Sequence, residues 1–134
     1  MTAVRVGDEL PAVAVDVTAT VIVAGAIATR DFMPVHHDRD YANQQGAPDI
    51  FMNIISTNGH CSRFLTDWAG PDAMVKRLSI RLGVPTFPGT TLTFTGRVER
   101  VEEAGSERLV DVSLRATNDL GDHVTGTATL SFPA

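Results

Sequence analysis

Asp49-Ile50-Phe51-Met52-Asn53-Ile54-Ile55-Ser56-Thr57-Asn58-Gly59-His60-Cys61-Ser62-Arg63-Phe64-Leu65-Thr66-Asp67-Trp68 is the stretch on which the fold turns. Ile50, Ile54, Cys61, Leu65 and Trp68 recur at helical spacing, and Phe51, Ile55 and Phe64 widen the apolar surface. This predicts one long helix over 50–68 with a broad buried stripe. Asp49 stands where an N-cap belongs, and Gly70-Pro71 stops the helix.

Downstream the period changes from helical to two. Leu78, Ile80 and Leu82 alternate with Arg77, Ser79 and Arg81; Leu92, Phe94 and Val98 follow the turn Pro85-Thr86-Phe87-Pro88-Gly89. Val110, Val112, Leu114 and Ala116 form a third run. Val124, Ala128, Leu130 and Phe132, opposite Thr125, Thr127, Thr129 and Ser131, form a fourth. Turn signals at Ala104-Gly105-Ser106 and at 118–122 separate them, which predicts four strands in an antiparallel meander. Upstream, the Val and Thr content of Val13 to Val23 predicts a strand, and the small residues Ala24 to Thr29 a helical turn. Asp38 is expected to cap a short helix through Gln45, ended by Gly46. A single long helix with a sheet that must cover it is an α+β layout. A curved antiparallel sheet wrapped around one central helix is the hot-dog arrangement.

The bulk numbers agree with one domain over residues 1–134. Such a length buries about two-thirds of the surface of the unfolded chain, so neither metal nor disulfide is needed for folding. The net charge of -5 argues against a generic nucleic-acid binder, which needs a basic stripe. Cys61 is the sole cysteine, which excludes an intrachain disulfide and fits a reducing compartment. No continuous apolar core opens the chain, and the most apolar run, Val21 to Ala28, is far short of the roughly 20 residues of a membrane span. The expectation is a soluble, cytoplasmic protein.

The candidate chemistry lies in Asp31-Phe32-Met33-Pro34-Val35-His36. Adding water across a conjugated double bond needs a base to activate water and an acid to protonate carbon, and Asp with His supplies both. On a regular helix these side chains would diverge by roughly 140°. Pro34 makes a regular helix unfavourable, so a wrapped loop can turn both inward. On spacing alone, two solvated loop residues remain the commoner meaning of such a pair.

Asp31-x-x-Pro34-Val35-His36, with Ala42 beyond it, resembles the signature of the MaoC-like (type 2, R-specific) enoyl-CoA hydratases. Leu65-Thr66-Asp67-Trp68 is similar to the end of that family's central helix, and Val84 to Leu92 to its Pro-Val-x-Pro-Gly-Asp-Thr-Leu element. The resemblance runs in order from about Val15 to Phe132. Ala28 to Phe32, Val35 to Asp40, Asp49-Ile50-Phe51 and Thr66 to Pro71 resemble a narrower group, the small single-domain subunit of actinobacterial steroid side-chain enoyl-CoA hydratases.

The resemblance implies that Asp31 and His36 hold the catalytic water and that a backbone N–H at the helix start binds the thioester oxygen. The reaction implied is hydration of a trans-2-enoyl-CoA to an (R)-3-hydroxyacyl-CoA, with no cofactor beyond the coenzyme A of the substrate. The partner implied is a second MaoC-like subunit, with a homodimer as the alternative. Met33 stands where the signature has Asn, and Asn53-Ile54 where it has His-Gly, with Ile54 adding bulk near the acyl channel. A 3-hydroxyacyl-ACP dehydratase, a hot-dog acyl-CoA thioesterase and a non-catalytic subunit of a heteromeric hydratase stay open.

Asn53, Thr57 and His60 make a polar strip on the long helix, either buried groups bonded to one another or the lining of an acyl cavity. Lys76, Arg77 and Arg81 are the densest basic group, able to meet coenzyme A phosphates or merely to decorate an edge. No metal is expected: His37, Asp38 and Asp40 adjoin His36, but neighbouring side chains rarely converge on one ion. Cys61 reads as core filler.

Overall fold

The computed structural model describes residues 3–134. In chain order the elements are β1 (Glu9–Val17), α1 (Ala19–Ala28), a single 3-10 turn (Pro34–His36), α2 (Arg39–Gln44), α3 (Ile54–Ala69), β2 (Met74–Leu82), β3 (Thr90–Ala104), β4 (Glu107–Asn118) and β5 (Gly121–Pro133). The strands form one antiparallel sheet in the order β1-β3-β4-β5-β2. The sheet curls around α3, which is the expected α+β hot-dog arrangement.

The core lies between α3 and the inner face of the sheet. Cys61, Phe64, Leu65 and Ala69 of the helix are buried against Phe94, Val98, Val110, Val112 and Leu130, among others. Phe64 and Phe94 pack with ring centroids 5.7 Å apart, and Trp68 meets Phe132 edge-on at 6.0 Å. Period-two reading therefore assigned the inner faces of β3 and β4 correctly, and that of β5 except at His123 and Ser131, which are buried too. Burial pushes the Cys61 thiol up to about 11, so it stays protonated and unreactive.

Three expectations are corrected. The predicted four-strand meander is a three-strand one, β3-β4-β5. β2 crosses the sheet and pairs with β5 at the far edge instead of with β3. Alternation tells which face a strand buries but not which strand lies beside it. Only Val75, Leu78 and Ile80 of β2 are even half-buried, as suits an edge, and Lys76, Arg77 and Arg81 are exposed along it.

The strand expected over Val13–Val23 ends at Val17, and 19–28 is a full helix rather than a turn over Ala24–Thr29. Thr18 caps it by accepting the Val21 N–H at 3.1 Å. Ile22 and Ala26 are buried, and Gly25 lets α1 approach α3 so closely that a Cβ there would meet the Ser56 side chain. Tertiary burial overrides the strand preference of Val and Ile.

The third correction is the start of the long helix. Asn53, not Asp49, is its cap, accepting the Ser56 N–H at 3.3 Å. Asp49 instead accepts from its neighbour's backbone, Ile50 N–H, at 2.7 Å and pairs with Arg39 at 3.0 Å. Residues 50–52 form an irregular strap, held by Phe51 N–H to Val35 O at 3.3 Å and Met52 N–H to Thr86 O at 3.0 Å. The short helix after Asp38 forms as expected, with Asp38 accepting the Tyr41 N–H. Among the described residues no helix is long and apolar enough to cross a membrane.

If α3 is the centre of the core, Leu65→Ala should lower unfolding free energy by about 2–5 kcal/mol, while Arg81→Ala on the β2 edge should change it by less than about 0.5 kcal/mol. Urea denaturation of the two variants checks this. Equal effects would mean that the helix is not the central element.

Candidate active site

Asp31 and His36 meet because the chain between them cannot remain helical. α1 ends at Thr29, and Arg30 adopts a left-handed conformation (φ 58°) that turns the backbone sharply. The Asp31 N–H then closes back onto Ala26 O at 2.9 Å. Met33 is extended, as the residue before a proline prefers. Pro34 opens the one-turn helix, where its missing N–H costs nothing. The turn brings His36 Nε2 to 3.3 Å from Asp31 Oδ2.

The imidazole is held from behind. His36 Nδ1 lies 2.7 Å from Phe51 O, and a carbonyl can only accept, so the Nδ1 proton is donated there and Nε2 is left facing the carboxylate. The ring sits edge-on to Phe51, with centroids 5.1 Å apart. His36 is buried, whereas the Asp31 side chain is 29% exposed. The hydrogen bond from Asn53 holds the Asp31 carboxyl below its ordinary range; the Met33 N–H and His36 act in the same direction, and burial opposes them. Asp31 is therefore ionised at neutral pH.

The pair borders a cavity of about 600 Å³. Its apolar walls include Val35, Phe51, Ile54, Ile55, Leu82 and Val84, and Asn53 and His123 also line it. The start of α3 opens onto this space. Asn53 Oδ1 takes the Ser56 N–H, and Asn53 O takes the Thr57 N–H at 3.1 Å. The Ile54 and Ile55 N–H groups have no acceptor among the described residues. A helix start with free N–H groups carries positive potential and suits a developing oxyanion.

His123 is the site residue that sequence reasoning missed. Alternation along β5 assigns it to the outer face with Thr125 and Thr127. However, Ala116 pairs with Val124 and Thr117 with Asp122, so β5 carries His123 as an extra residue in a bulge. A bulge re-aims a side chain, and His123 is buried. Its Nδ1 lies 2.7 Å from Val84 O and its Nε2 2.8 Å from Thr57 Oγ1. Nδ1 is then the donor and Nε2 accepts the Thr57 proton. The Asn53 carbonyl, 3.3 Å from the same hydroxyl, is the weaker competitor for that single proton. Burial lowers the His123 pKa, partly offset by the bond to Val84. No pattern in the sequence marks the bulge.

The remaining candidates divide. Asn53 and Ile54 line the cavity, whereas Thr57 is fully buried behind it as the anchor of His123. His60 faces a separate cleft beside Arg63 and β1, so the polar strip is not one lining. Lys76 pairs with Glu107 at 3.4 Å and Arg77 donates to Thr127 at 3.2 Å; neither these nor Arg81 lines the cavity. Among the described residues no three His, Cys, Asp or Glu side chains gather as a metal site.

No family model matches the chain. It is 48% identical over 127 residues to the 3-oxo-4,17-pregnadiene-20-carboxyl-CoA hydratase beta subunit of Mycobacterium tuberculosis, covering 95% of each chain. A chain in the crystal structure of the ChsH1-ChsH2 complex from Mycobacterium tuberculosis superposes with a TM-score of 0.90 at 47% identity, over 98% of this chain and 99% of that one. The MaoC-like dehydratase from Rhodospirillum rubrum shares the fold, with a TM-score of 0.83 at 20% identity over 97% and 93% of the two chains. The chain thus belongs to the MaoC-like hydratase family of hot-dog proteins, in the group that contains the mycobacterial pregnadiene-carboxyl-CoA hydratase beta subunit.

Proposed function

We propose that this chain is the catalytic subunit of a hydratase that adds water across the α,β double bond of an enoyl-CoA thioester with a bulky, ring-bearing acyl group. The observation that carries the reading is the Asp31–His36 pair, 3.3 Å apart on the cavity wall, with the imidazole tautomer set by Phe51 O. A water held between Nε2 and Oδ2 faces two basic atoms. As its oxygen bonds to the β-carbon, one of its protons passes to the pair. The π electrons move onto the α-carbon and thioester oxygen as an enolate. The Ile54 or Ile55 N–H at the start of α3 stabilises that oxygen. The proton held by the pair then returns to the α-carbon. Atoms balance, and coenzyme A is carried by the substrate, so no further cofactor is required.

The acyl group and the partner rest on different support. The relative's name specifies a pregnadiene carboxyl-CoA and a beta subunit, and the similar solved chain comes from a two-component complex. In this chain the cavity is open, its lining residues Ile54, Ile55 and Leu82 are exposed apolar side chains, and Phe32 and Met33, next to Asp31 in the chain, are exposed too. Leaving such a cluster in water is unfavourable, and covering it also excludes bulk water from the reacting centre. A second MaoC-like subunit is the partner proposed to close the cavity.

In the active assembly, Asp31→Asn and His36→Ala should each reduce kcat by about 10²–10⁴-fold while leaving the fold intact. Loss of the conjugated thioester absorbance, followed over enoyl-CoA esters from short linear to polycyclic, measures it. Near-wild-type rates in either folded variant would refute the assignment. Release of free thiol from saturated acyl-CoA would indicate a thioesterase, and preference for carrier-protein thioesters a dehydratase.

The purified chain should turn over polycyclic enoyl-CoA poorly and gain activity when co-expressed with a MaoC-like partner, with a heteromer visible by native mass measurement. Full activity of the isolated chain, unchanged by any partner, would rule out the heteromeric reading.

A further inference from the structure

Asn53 is 1% exposed, and every polar atom of its side chain is engaged. Oδ1 accepts the Ser56 N–H at 3.3 Å and so caps α3. Nδ2 donates to Thr29 Oγ1 at 2.9 Å and to Asp31 Oδ2 at 3.1 Å. An amide nitrogen has two protons, so both bonds form together. Thr29 can accept because its own proton goes to Gly25 O at 2.8 Å. The amide cannot be reversed: its oxygen would then face a carboxylate and its nitrogen a backbone N–H. The network thus has a single polarity, running from the helix start to Asp31.

The two oxygens of Asp31 are held differently. Oδ1 takes the Met33 N–H at 3.3 Å, a bond local to the turn. Oδ2, the oxygen that faces the unprotonated His36 Nε2, takes a side-chain N–H from Asn53. The side chain of Met33, two residues further on, is a thioether with no N–H or O–H to offer. We propose that Asn53 is the positioning residue of the site. One side chain aims the Asp31 oxygen at the water shared with His36 and fixes the helix start that receives the thioester oxygen. The role in turnover rests on the hydratase reading above; the hold on Asp31 does not.

The charged and titratable groups around Asp31 are His36 from the 3-10 turn, exposed Arg30 before it in the chain, and His123 of β5, which lines the same cavity. The start of α3 contributes only the neutral amide. Removing that donor should let the carboxyl return toward its ordinary range.

Two variants separate positioning from capping. Asn53→Ser keeps a cap acceptor but is too short to reach Asp31. Asn53→Asp keeps the cap, loses the donor and adds a second carboxylate. In the full-length chain the Asp31 carboxyl is titrated by ¹³C NMR, its resonance assigned by comparison with Asp31→Asn. The midpoint should rise in both variants, further in Asn53→Asp, while the melting temperature of Asn53→Ser stays near that of the parent. In the active assembly Asn53→Ser should lower kcat by roughly 10²-fold, with KM changed much less, and shift the acid limb of the rate profile to higher pH. An unchanged Asp31 titration in a folded variant overturns the proposal, as does an unchanged pH–rate profile. A shifted titration in a protein with no hydratase activity would support Asn53's hold on Asp31 and retire the hydratase reading instead.

Discussion

A helix start leaves backbone N–H groups with no acceptor inside the helix, and the site of this molecule is arranged around that constraint at the start of α3. Two of those groups are satisfied by Asn53, through its side chain to Ser56 and its carbonyl to Thr57. Two more, on Ile54 and Ile55, have no acceptor among the described residues, and both residues line the cavity. The same Asn53 reaches Asp31. The strap just before it supplies the Phe51 carbonyl that orients His36. The Asp31–His36 pair and the start of α3 are therefore tied to one point of the chain.

The cavity wall is assembled from segments far apart in sequence. Gly83 lets the end of β2 run so close to β5 that a Cβ there would meet the Asp122 carbonyl, and its N–H bonds to His123 O at 2.8 Å. The bulge at His123 turns a neutral imidazole inward to tie Val84 to Thr57 of α3. Sheet edge, bulge and helix thus meet behind the site. Buried, paired and neutral, His123 supports the wall without adding charge beside Asp31.

Stability and chemistry draw on different parts of the fold. Most of the ion pairs, such as Arg63–Asp67 and Arg100–Glu102, lie on the exposed surface, where each contributes about 0–1 kcal/mol. Cohesion comes from the α3–sheet core. The face bearing the site is less well buried: Phe32, Met33, Ile54 and Ile55 remain exposed around it. An exposed apolar rim around an ionised carboxylate suits a surface completed by another chain better than a finished pocket.

The sequence by itself determined the α+β class, the central helix, the inner faces of β3 and β4 and the break in helical backbone between Asp31 and His36, because periodicity, proline and turn residues act locally. It named Asp49 as the cap, where the structure uses Asn53. Both precede apolar residues of helical spacing, and the choice depends on Thr86 and Val35 binding the strap between them. It took the first half of α1, through Val23, for a strand and only Ala24 to Thr29 for a helical turn, because burial against α3, not local preference, makes the whole segment helical. The place of β2 beside β5, the inward turn of His123 and the reach of Asn53 to Asp31 were decided by tertiary structure alone. Each joins residues far apart in the chain, and no local pattern records which distant strand, carbonyl or carboxylate a residue will meet.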